Sequence, residues 1–185
     1  MRAWLWPGAI ALVAILLQAS GGLEAFRWER SLAASEPWRL VSGQLVHLGW
    51  VHLGLNLAAL GLAWGWFGAT LGGRGGLAAS LASGAAVMLG LTFATPGLQW
   101  YAGLSGVLHG LVAAGALAGL RRRPGLALAV LALLAAKLAA EMLGQGSAGT
   151  ARLIGGPVVV AAHLYGALGG AAFGLWRAFR LEFRA

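Results

Sequence analysis

Six apolar runs divide the chain, at roughly 4–20, 44–66, 76–95, 103–120, 125–143 and 156–176, each close to the ~20 residues a bilayer-crossing helix needs. Runs like these leave little choice of fold. In hydrocarbon every backbone N–H and C=O must find a partner inside the protein, which a helix provides and an open strand does not. The chain is 59% hydrophobic and 10% charged, whereas a soluble domain carries about 25% charged residues. The expectation is an all-α integral membrane protein: one domain over residues 1–185, with six transmembrane helices. Its 31 glycines, which would mark loops in a soluble chain, read here as places where helix backbones approach closely.

A net charge of +8 does not point to nucleic acid, because the basic residues collect at the ends of apolar runs. Arg2, Arg74, Arg121, Arg122, Arg123, Arg177, Arg180 and Arg184 fall to one side. Arg27, Arg30, Arg39 and Arg152 fall to the other, the first three offset by Glu24, Glu29 and Glu36. The positive-inside rule makes the first side cytoplasmic, with both termini there. The loops 21–43, 96–102 and 144–155 then face outward. The absence of cysteine excludes disulfides, thiol chemistry and thiolate-held metal. The opening "MRAWLWPGAIALVAILLQASGG" also has the form of a secretory signal, but an even span count requires it to be retained. The loop 21–43 mixes charge with Phe26, Trp28 and Trp38, and is expected to lie along the interface.

On this map three runs bring polar residues to one level. His52 and Asn56 lie in the outer half of the second run, Ser105 at the outer end of the fourth, and His163 about seven residues into the sixth, roughly 10 Å down at 1.5 Å per residue. Polar groups at such depth are costly and tend to be functional. Counted the same way, Ser105 lies only roughly 3 Å in. "TPGLQWYAG" is therefore expected to dip into the protein, so that the fourth helix starts below the surface.

"GLSG" places Gly103 and Gly106 around Ser105 at a helix start, where free N–H groups and the positive dipole end suit a developing oxyanion. Taken alone, helix packing explains it as well. "AHLYGALGGAAFG" follows His163 with Gly166, Gly170 and Gly174. The fourth run has small pairs of its own, Gly106/Gly110 and Gly115/Gly119. Two such faces let these helices pack closely enough for Ser105 and His163 to meet. His52 and Asn56, four apart, share a helix face and can both donate hydrogen bonds. They could equally be interhelical glue. His47 reads as structural.

H-x-x-x-N in an early run, G-x-S-G at the head of the fourth and A-H-x-x-G in the sixth resemble the rhomboid intramembrane serine proteases. Trp38-Arg39 in the first loop and His47 before His52 fit as well. "PWRLVSGQLVHLGWVHLGLN", "GLSGVLHGL" and "KLAAEMLGQ" resemble the rhombosortase subfamily most. The resemblance implies a six-helix rhomboid-like bundle and a dyad with Ser105 as nucleophile and His163 as general base. His52, Asn56 and the Ser105 N–H would form the oxyanion site, with Gly103, Gly106 and Gly166 in support. It also implies cleavage of exported proteins carrying a C-terminal membrane anchor of the GlyGly-CTERM type. The setting would be a bacterial inner membrane, the active site toward the outer face, with no cofactor and no nucleic-acid partner.

His109 stands where most rhomboids carry Tyr. It reads as a ring supporting His163, with a base for Ser105 and a plain core histidine as competing readings. Lys137 and Glu141, four apart, read as an intrahelical ion pair or as the lining of a substrate or water path, with no catalytic partner to name. The other acids, Glu24, Glu29, Glu36 and Glu182, offer no third member beside His163. The four histidines show no H-E-x-x-H metal pattern. Two other functions remain open: a His-lined small transporter or proton relay, and an inactive rhomboid-like membrane chaperone.

Overall fold

The computed structural model describes residues 4–182. Arg2 and Arg184, assigned above to the cytoplasmic side, lie outside the described residues. Each apolar run is helical over most of its length. Helix α1 is Leu5–Ala19 and is followed by a short α2, Leu23–Phe26. Strand β1 is Trp28–Glu29, and α3 is Arg39–Ser42. The longest element, α4, runs Trp50–Leu89 and ends in a π-helical turn, Gly90–Ala94. Strand β2, Trp100–Tyr101, leads to α5, Ser105–Gly119. Helices α6 (Pro124–Met142), α7 (Ser147–Ile154) and α8 (Val160–Glu182) complete the chain. Among the described residues, two stretches are long and apolar enough by themselves to cross a membrane, Trp50–Ala94 and Pro124–Met142; α1 and α5 are shorter apolar helices.

The second and third runs share α4, but α4 is not one straight rod. Gly72 breaks it with φ 67° and ψ 165°, a conformation open to glycine and strained for a side chain. The limbs fold back on each other, since the Trp64 ring lies over Gly76, twelve residues later, with Trp6 of α1 beside it. At this end of the bundle the Arg177 guanidinium rests against Gly75.

Helices α5 and α8 meet backbone to backbone. A Cβ on Gly166 would overlap the Gly106 carbonyl, one on Gly170 the Gly110 carbonyl, and one on Gly174 would sit 2.8 Å from the Ala114 oxygen. The four-residue spacing keeps all three contacts on one face. Gly115 does not join them, as the sequence pairing suggested; its open side is filled by Phe67 of α4. Gly170→Ala is therefore expected to force the helices apart and destabilise the fold by about 2 kcal/mol. Thermal unfolding in detergent checks this against Gly125→Ala on α6, where nothing lies within 4 Å.

The loop at 21–43 is built of short pieces, α2, β1 and α3, rather than one continuous helix. It folds into a cap with Trp28 fully buried and Arg39 6% exposed. Arg39 donates to the carbonyls of Glu24 (3.0 Å) and Arg27 (2.7 Å) and pairs with Glu36. Arg30 donates to the carbonyls of Leu91, Thr92, Thr95 and Leu98, at 2.6 to 2.9 Å. It thus closes the end of α4, whose last carbonyls have no partner within the helix. Trp38 alone of the loop's marked aromatics is more than half exposed.

Candidate active site

The cap holds the segment that leads to Ser105. Trp28 pairs with Tyr101 and Glu29 with Trp100 in an antiparallel ladder. The Gly103 N–H donates to the Gly43 carbonyl at 2.9 Å, and the buried Tyr101 hydroxyl donates to the Gly103 carbonyl at 2.7 Å. Residues 101–104 are all buried, so the non-helical chain before α5 runs inside the protein. Gly103 has φ 128°, and a Cβ there would come within 2.9 Å of the His52 ring. Ser105 follows as the first residue of α5, where backbone N–H groups lack helical acceptors.

Ser105 on α5 and His163 on α8 meet. The Ser105 Oγ lies 2.9 Å from His163 Nε2. The opposite ring nitrogen, Nδ1, lies 2.8 Å from Glu141 Oε2 on α6, and Lys137 Nζ donates to Glu141 Oε1 at 2.6 Å. A carboxylate only accepts, so Nδ1 carries the ring proton and Nε2 accepts the serine O–H. The His109 ring stacks on His163, centroids 4.1 Å apart and planes 13° from parallel. Its Nδ1–H donates to the Ser105 carbonyl at 2.7 Å. His109 thus holds the backbone of Ser105 and the face of His163, while the hydroxyl faces His163.

His52 and Asn56 line the same cavity of about 330 Å³ as Ser105, Glu141 and His163. His52 Nδ1 accepts the Leu48 N–H at 3.4 Å, which leaves Nε2 as its donor. The Asn56 amide gives one N–H to the His52 carbonyl at 2.9 Å and keeps a second. His47 precedes α4 rather than lying on it. Its buried ring meets His52 edge to face, centroids 4.9 Å apart, a contact that five-residue spacing on a helix would not allow. His109, Glu141 and His163 bring potential metal-ligand atoms within 4.8 Å of one another. Two nearly parallel stacked rings do not aim their lone pairs at one point, and each partner described above already occupies one of those atoms.

The sequence reading left Lys137 and Glu141 without a catalytic partner and His163 without an acid. The structure keeps the Lys137–Glu141 pair and also brings Glu141 to His163. The Lys–Glu spacing marked the pair; what spacing along α6 could not give was how α6 turns toward α8. Tyr101 was missed as well, its only signal being a buried aromatic immediately before "AGLSG".

The rhomboid domain family matches residues 34–179. The chain belongs to the rhomboid family. Rhomboid proteins are generally intramembrane serine proteases, and the proteases among them act on membrane protein substrates within the bilayer. The match takes in the last part of the cap from residue 34, the serine, and the histidine-bearing helices α4 and α8. No curated protein matches the chain.

Proposed function

We propose that this rhomboid protein is a serine endopeptidase that cleaves membrane-anchored proteins, with Ser105 as nucleophile and His163 as general base. The 2.9 Å approach of Ser105 Oγ to His163 Nε2 carries the reading. Geometry of this kind marks an activated nucleophile, an otherwise unreactive hydroxyl placed within hydrogen-bond reach of a base. Ser105 Oγ attacks the scissile carbonyl carbon as its proton passes to His163 Nε2. The C–N bond then breaks, the departing amine takes that proton, and water attacks the acyl-enzyme to release the acid. His52, Asn56 and the free N–H groups at the start of α5 face the carbonyl oxygen as it becomes negative.

The six helical runs make six crossings, with the Arg74, Arg121–Arg123 and Arg177 end cytoplasmic and the serine toward the outer face. The motif pattern, His109 included, favours the rhombosortase type. Its substrates would be exported proteins with a short C-terminal anchor of the GlyGly-CTERM kind. A glycine-rich, helix-breaking segment supplies the extended backbone that attack by Ser105 needs.

A fluorophosphonate probe tests the reading on detergent-solubilised protein. Wild type is expected to be labelled and Ser105→Ala to stay dark. An unlabelled wild type, in detergents and in bilayers, would bring forward the relay or the inactive chaperone.

A further inference from the structure

Glu141 has more contacts than an ion pair needs. Its side chain is 10% exposed, while that of Lys137 is 48% exposed. Lys137 Nζ on Oε1 already supplies a counter-charge. The second oxygen, Oε2, is nevertheless aimed at His163 Nδ1, 22 residues away in sequence and on another helix. The remaining acids of the described loop are engaged elsewhere: Glu24 and Glu29 with Arg27, and Glu36 with Arg39.

The His109 stack fixes the plane of the His163 ring. A face contact does not decide which nitrogen points at Ser105, because a ring turned within its plane keeps the same overlap. A carboxylate at Nδ1 does decide it. It holds the proton on Nδ1, leaves the Nε2 lone pair toward the hydroxyl, and sets the ring's rotation.

We propose that Glu141 is a positioning residue that extends the Ser105–His163 pair into a Ser–His–Glu line, with Lys137 anchoring its other oxygen. This rests on the protease reading above. When the Ser105 proton moves to Nε2, the ring becomes an imidazolium faced by the Glu141 carboxylate; Nδ1 keeps its own proton and Glu141 takes none. Lys137 then balances the carboxylate at rest, so the buried site carries no lone negative charge. Glu141 rides on α6, a helix whose buried side chains are Ala127, Val130 and Leu138. The aim of the base therefore depends on α6 being docked.

The test compares wild type, Glu141→Gln, Glu141→Asp and Ser105→Ala as full-length protein in detergent. Two observables are read: the second-order rate of fluorophosphonate labelling, and the imidazole nitrogen shifts of ¹⁵N-histidine protein. Four histidines keep that spectrum tractable. Glu141→Gln is expected to slow labelling by 10²- to 10⁴-fold, in the range on the order of what a misplaced or wrong-tautomer histidine loses. The His163 signals should change from a protonated Nδ1 and bare Nε2 to a mixture of tautomers. Glu141→Asp keeps the charge beside Lys137 but withdraws it from the ring, and should recover part of the rate. A merely structural ion pair would lower the thermal midpoint and leave both the rate per folded molecule and the tautomer unchanged, which overturns the proposal. Labelling of wild type that persists in Ser105→Ala overturns the protease reading instead. Equal rates in wild type and both Glu141 variants, with Ser105→Ala dark, overturn the role of Glu141 alone.

Discussion

His163→Ala is expected to slow fluorophosphonate labelling at Ser105 by about 10⁴-fold or more, and turnover of a true substrate by roughly 10⁶-fold. The reason is the 2.9 Å contact between the serine Oγ and His163 Nε2. Without that acceptor the hydroxyl must attack while still holding its proton. Nucleophile and base act as one unit, so Ser105→Ala/His163→Ala is expected to turn over substrate no more slowly than either single variant. Additive losses would mean that the two residues act in separate steps. Removing the ring also takes one partner from Glu141, so folding must be followed by thermal unfolding alongside the rate. A variant that unfolds at the wild-type midpoint yet labels slowly places the loss in the chemistry.

His52→Ala should follow, with labelling slowed by on the order of 10²- to 10³-fold, the scale for loss of one oxyanion donor. His52 is set up to donate. The Leu48 N–H bonds to its Nδ1, which leaves the proton on Nε2, and the ring borders Gly103, two residues before the nucleophile. Asn56→Ala should cost less, because one of its N–H groups already belongs to the His52 carbonyl. Loss at His52 with binding of a peptide aldehyde, which adds reversibly to the Ser105 hydroxyl as a hemiacetal, weakened in parallel would indicate oxyanion stabilisation. Slower labelling with aldehyde affinity intact would assign His52 a purely structural part through its contact with His47.

The helices were legible because their signal is local. Each of the six apolar runs is a stretch whose backbone must satisfy itself, and each is helical over most of its length. Ser105, His163, His52 and Asn56 stood out because a hydroxyl, imidazoles and an amide are conspicuous among Leu, Ala and Gly, and motif order placed them at one level. The fold of the cap at 21–43 was not legible because it rests on partners distant in sequence. Arg30 reaches four carbonyls around residues 91–98, and Trp28 pairs with Tyr101. No hydrophobic period announces contacts like these.

Sequence alone determined the helical membrane class and the small faces of α5 and α8, because both follow from side-chain size and polarity repeated along one helix. The rotation of α6 was decided only in three dimensions. Lys137 and Glu141 read alike whether they face lipid, each other or a neighbouring helix, and the intrahelical pair is satisfied in every case. Packing turned Glu141 toward α8, within 2.8 Å of His163. Spacing within one helix tells which residues share a face; which neighbour that face meets depends on how the other helices pack around it.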